Sequence, residues 1–127
     1  MKLRILDNSI RLRLTQSEVG KASIDGLVRG SVRFPGSNTF AYVLESSPAT
    51  VKPEAHFSNN VLTVRIPEAD IRRWAGSDQV SIESEQGLDD GGELRILVEK
   101  DFACLAPRQG EDEADMYPHP EADSKSC

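Results

Sequence analysis

Residues 99–120 hold the densest set of chemistry-bearing side chains in the sequence. Asp101, Cys104, Glu111, Asp112, Glu113, Asp115 and His119 fall within 19 positions. Thiolate, carboxylate and imidazole ligands together suit a divalent transition metal, zinc first. Cys104 and His119 lie 15 positions apart, so a loop could bring them together. The candidate ligand set is Cys104, Glu111, Asp112, Asp115 and His119. A closed structural site would want more Cys and His than two, and no paired Cys-x-x-Cys is present. The plainer reading is an acidic, solvated tail with one buried cysteine.

Nucleophilic catalysis has little to work with. A catalytic cysteine needs a base, and the sequence holds only His56 and His119. Acidic neighbours raise a thiol's pKa, which blunts Cys104 as a nucleophile. His56 beside Phe57 reads as a half-exposed strand residue. Gly91-Gly92 stands alone, so there is no phosphate-cradling fingerprint. Ser in Gly-x-Ser-x-Gly is also absent. Glu83, Glu85, Asp89 and Asp90 could pair for acid–base work, but surface acids are ordinary in such a chain.

Lys2, Arg4, Arg11 and Arg13 make a second candidate, a basic binding face. They alternate with Leu3, Ile5, Ile10, Leu12 and Leu14, so on strands all four point one way. If the two runs pair, like charges meet across the ladder and need a counter-charge. Three readings stay open: a solvated face, docking of the chain's own acidic tail, or binding of an acidic or phosphate-bearing partner.

The chain has 127 residues and a net charge of −6. Residues 1–100 carry 13 basic and 14 acidic residues, and residues 101–127 carry 2 and 7. The body is near neutral and the tail acidic. An acidic whole argues against nucleic acid as a partner, because phosphates must be met by excess Lys and Arg. No run approaches the ~18 apolar residues of a membrane span. The start is charged from Lys2 and lacks the apolar stretch of a signal peptide. Two cysteines cannot build a disulfide scaffold, which points to the cytosol.

The elements that must position these groups are short. Lys2–Leu6 and Ile10–Leu14 read as strands around the turn residues Asp7-Asn8-Ser9, as a hairpin or one bulged strand. Thr15 with Glu18 is a capping box that opens a helix ending before Asp25-Gly26. Strands follow over 27–34, 40–44, 51–57 and 61–66. Pro67, at the first helical position, opens a second helix through Ala75, with acids early and bases late. Gly76 closes it. Strands over 80–82 and 94–99 complete the pattern. Turn signals every ~8–12 residues favour a barrel or sandwich. The expected core is Ile10, Leu12, Val32, Leu44, Val64, Ile66, Ile71, Trp74, Val80, Ile96 and Val98.

A faint repeat runs through the chain. Leu14-Thr15-Gln16-Ser17-Glu18-Val19 aligns with Ile66-Pro67-Glu68-Ala69-Asp70-Ile71 at an offset of 52, which sets Val28 on Val80. Two strand–helix–strand halves could close a pseudo-symmetric barrel. The run from Val64 to Val80, with its Ile66-Pro67 and the basic pair Arg72-Arg73, resembles the swapped-hairpin barrel of AbrB-type transcription regulators. That resemblance implies a fold; those regulators bind DNA through basic dimeric arms, whereas this chain is acidic. The opening Lys2-Leu3-Arg4-Ile5 and Asn8-Ser9-Ile10-Arg11-Leu12-Arg13-Leu14 carry a second resemblance. With them go Lys100-Asp101-Phe102-Ala103-Cys104-Leu105, Gly110-Glu111-Asp112-Glu113 and Pro118-His119-Pro120. Together they resemble a small bacterial family of unknown function, which implies no mechanism.

The sequence thus predicts a mainly β domain with two short helices (α+β), a small β-barrel, over residues 1–105. Residues 106–127 form an acidic C-terminal extension, with 121–127 expected to be disordered. The expected role is a non-catalytic binding or accessory module of the bacterial cytosol, engaging an unknown protein or acidic ligand. A zinc-binding protein using residues 101–119 is the alternative. A DNA-binding regulator, by analogy with the AbrB barrel, is the second.

Overall fold

A computed structural model describes residues 1–102 and 114–118. Eight strands and two helices follow in the order β1 (Lys2–Leu6), β2 (Ser9–Leu14), α1 (Gln16–Ile24), β3 (Leu27–Phe34), β4 (Asn38–Ser47), β5 (Glu54–Ser58), β6 (Val61–Pro67), α2 (Glu68–Ala75), β7 (Ser81–Gly87) and β8 (Glu93–Lys100). They build two four-stranded sheets, ordered β1-β2-β8-β7 and β3-β4-β6-β5. The fold is mainly β with two helices. No closed barrel forms among the described residues. In each sheet two antiparallel hairpins join through a central parallel pair, β2 with β8 and β4 with β6.

The two halves of the chain follow one plan. Lys2↔Arg13 to Leu6↔Ser9 in the first hairpin becomes Glu54↔Arg65 to Ser58↔Val61 in the third, at an offset of 52. Leu27↔Glu45 becomes Ser81↔Glu99, at an offset of 54. The offset changes because only Asp25 and Gly26 separate α1 from β3, while residues 76–80 separate α2 from β7. Single bonds recur as well. The Arg95 N–H donates to the Asn8 carbonyl, and the Ala41 N–H to the Asn60 carbonyl, both at 3.0 Å. Arg13 Nε donates to Glu99 and Arg65 Nε to Glu45, both at 2.6 Å.

This register corrects the repeat read from sequence. Val28 corresponds to Ile82, not Val80, and both Val28 and Ile82 are buried. Val80 is 42% exposed and is not core. Its backbone does the work: its carbonyl accepts from Trp74 Nε1–H at 2.9 Å and from the Lys100 N–H at 3.0 Å. Val32 is 45% exposed and is the other expected core residue that lies outside it.

The core draws matched residues from both halves. Leu12 and Val64, Leu14 and Ile66, and Val19 and Ile71 are equivalent and buried. Ala22 and Trp74 are also equivalent, so a small and a large side chain share one central layer. α1 is capped as its sequence demands, with the Glu18 carboxylate accepting from the Thr15 N–H at 3.0 Å and the Thr15 hydroxyl at 3.1 Å. α2 begins one residue later than expected. Pro67 is its N-cap and still the last residue of β6, with extended ψ of 136°. Gly76 is the C-cap. No helix of the described residues is long and apolar enough to cross a membrane.

Candidate functional site

Alternation puts the predicted basic residues on the outer face of the first sheet. The hairpin pairs them as Lys2↔Arg13 and Arg4↔Arg11. Like charges therefore do meet across the ladder, and the counter-charge comes from the neighbouring strand. β8 lies parallel to β2 and brings Glu99 beside Arg13 at 2.6 Å and Arg11 at 3.6 Å. Asp101, just past β8, is buried and lies 3.1 Å from Lys2 Nζ. Asp101, at the start of the segment read as a possible metal site, thus sits against a lysine. No carboxylate of the described residues pairs with Arg4 at salt-bridge distance.

A cavity of about 500 Å³ opens further along the same sheet. Its charged lining is Arg11, Arg95 and Lys52 against Glu83 and Glu85, with Ser9 and Ser84 adding polar groups. Cross-strand rows explain the arrangement. Ser9, Arg95 and Glu85 form one row; Arg11, Leu97 and Glu83 form the next. Cations lie toward β2 and acids toward β7. Lys52 arrives from the β4–β5 loop. The Glu93 carboxyl is held above its ordinary pKa because, when protonated, it donates to the Glu85 carboxylate, whose like charge also disfavours ionisation; Lys52 and Arg95 pull it partly back. The cavity thus presents cations on one side and carboxylates on the other. Among the described residues they include no nucleophile with an adjacent base.

The segment 114–118 docks elsewhere. Asp115 caps α1: its carbonyl accepts from the Gln16 N–H at 2.9 Å and its carboxylate from the Ser17 N–H at 3.2 Å. The Ser17 hydroxyl also donates to it. Helix N-termini leave free N–H groups that favour such an anion. These bonds, led by those from the Ser17 and Thr15 hydroxyls, hold the Asp115 carboxyl below its ordinary pKa. Met116 is buried, Gln16 Nε2 donates to its carbonyl at 3.0 Å, and the Tyr117 N–H donates to the Asp101 carbonyl at 2.9 Å. Lys100 Nζ lies over the Tyr117 ring at 5.3 Å. For Asp115 the expected contact with the basic strand face is therefore corrected: it bonds the start of α1, and among the described residues it forms no ion pair with Lys2, Arg4, Arg11 or Arg13.

Cys104, Glu111, Asp112, Glu113 and His119 lie outside the described residues, as does the segment 121–127. Among the described residues no three His, Cys, Asp or Glu side chains group to hold a metal ion. The basic pair on α2 is engaged within its own helix, Arg72 with Glu68 at 3.0 Å and Arg73 with Asp70.

Arg95 and Lys52 were not singled out from sequence. Alternation along Glu93-Leu94-Arg95-Ile96-Leu97 marks Arg95 as outward-facing, but nothing local says that β8 will lie beside β2. Lys52 sits in a loop and carries no periodic signal.

Two repeated β-β-α-β-β halves make the fold, and a cavity lined by both signs of charge lies on one sheet face. The chain belongs to DUF7009, a family of unknown function whose model matches residues 1–121. No curated protein and no solved structure matches it.

Proposed function

We propose that the protein is a non-catalytic binding module of the bacterial cytosol that holds an acidic ligand in the cavity beside β2 and β8. One observation carries this reading: Arg11, Arg95 and Lys52 converge on a single cavity from three separate elements. Convergence of cations from distant parts of a chain is costly in repulsion unless acids or a ligand offset it. Glu83 and Glu85 offset part of it on the β7 side and Glu99 meets Arg11 at 3.6 Å, which leaves Arg95 and Lys52 able to meet a carboxylate or phosphate. Arginine suits this role because its planar fork can donate two bonds to one such group. Calorimetry with inorganic phosphate or succinate at low salt tests the reading. Saturable binding that falls about tenfold or more in Arg95→Ala is expected. Equal heats for the wild type and Arg95→Ala would refute it.

A further inference from the structure

The two halves differ where their sheets approach each other. At the β5–β7 approach, the Ala55 N–H donates to Gln86 Oε1 at 2.7 Å. The register equates Ala55 with Leu3 on β1 and Gln86 with Val32 on β3. Valine has no acceptor, so that latch does not exist between β1 and β3. The Tyr42 hydroxyl, on β4, instead donates to the carbonyl of Met1, just before β1, at 3.1 Å. The Tyr42 ring reaches Met1 by lying over Gly30, where an added Cβ would come within 2.4 Å of it.

The unlatched edge has a definite chemistry. β3 is eight residues long and is paired on one side only, by β4. Val28, Val32 and Phe34 share one face. Val28 is buried, but Val32 and Phe34 run past the end of the core and are exposed. Phe40, opposite Val32, stacks on Tyr42 at 6.1 Å and leans on Phe57 at 6.3 Å, which continues the apolar surface. The other face of β3 carries Arg29 and Arg33. Among the described residues no carboxylate lies within salt-bridge distance of either. A basic edge on a chain of net charge −6 is selective for acids.

We propose that the β3 edge receives an extended segment of a partner protein in which apolar and acidic residues alternate. An added strand completes the hydrogen bonds of β3, sets its apolar residues on Val32, Phe34 and Phe40, and aligns its acids with Arg29 and Arg33. A second copy fits poorly. Two β3 strands side by side would put arginines on the same face as arginines. The acidic edge β7, the charge complement of β3, is already engaged by β5 through Gln86.

The test uses the full chain and two capped octapeptides, one alternating glutamate with valine and one alternating lysine with valine. The glutamate peptide is expected to slow amide exchange across residues 27–34 and to bind about tenfold tighter than the lysine peptide at low salt. The double variant Arg29→Glu, Arg33→Glu should reverse that preference. Arg95→Ala should leave it unchanged, which separates this edge from the anion cavity. Equal binding of both peptides, or protection confined to residues around Arg95, would overturn the proposal. So would concentration-dependent self-association that protects β3 without peptide, since a second copy would then be the occupant.

Discussion

The Asp115 carboxylate caps α1 by accepting from the Ser17 N–H, 98 positions earlier in the chain. A helix that carries its own capping box, Thr15 with Glu18, still leaves its Gln16 and Ser17 donors for another partner. Residues 114–118 supply it and thereby fix themselves to the start of α1 and the end of β8.

Asp115→Asn should loosen this segment. Its depressed pKa means the anchor is fully present above the ordinary Asp value of 3.8 and is lost as pH falls through the lower folded value. The Ser17 amide resonance should therefore titrate with a midpoint below 3.8 in the wild type and stay flat in Asp115→Asn. A midpoint at or above the ordinary value would contradict the cap.

Trp74 is fully buried in the core, at the position where the other half of the chain places a small residue, Ala22. Trp74→Ala should cost ~3–5 kcal/mol, much of the stability of a domain this size. It also frees the Val80 carbonyl of its indole donor. Denaturant unfolding measures the loss; a cost below about 1 kcal/mol would contradict the packing.

Val32→Gln should install at the β1–β3 approach the latch that Gln86 provides at β5–β7. A gain of about 0.5–1.5 kcal/mol is expected for one new hydrogen bond, with slower exchange of the Leu3 amide. Unchanged Leu3 exchange would show that the two approaches are not equivalent.

Glu85, which lines the cavity, raises the carboxyl pKa of its neighbour Glu93 by accepting its proton's hydrogen bond and by like charge. A raised carboxyl pKa means the folded state holds that proton more tightly, an advantage that fades as pH rises through the raised value. Protonation also removes a negative charge beside Arg95, so anion affinity should rise as pH falls toward that value. Glu85→Gln should bring the Glu93 midpoint back toward 4.5 in a carboxyl NMR titration. An unmoved midpoint would dissociate the pair.

Much of the framework was legible because it is local. Thr15 with Glu18 announced α1, and Ile71 with Trp74 announced the buried side of α2. The errors have two roots. Residues 76–80 add two positions that shift the register of β7, so Val28 was matched to Val80 where Ile82 stands. Val32 carries the right phase and hydrophobicity for a core residue, but whether a phase is covered depends on how far the opposing sheet extends. The four basic residues were readable as one face. Their companions Glu99, Asp101 and Arg95 were not, because the parallel pairing of β2 with β8 joins segments more than 80 residues apart.

Residue-resolved NMR titration with inorganic phosphate at low salt addresses the anion cavity most directly. The resonances of Arg11, Lys52 and Arg95 should move together along one saturable curve, at about millimolar affinity or tighter. Arg72 and Arg73, paired on α2, should stay still. Shifts spread evenly over all arginines without saturation, or none at Arg95, would contradict a binding site there.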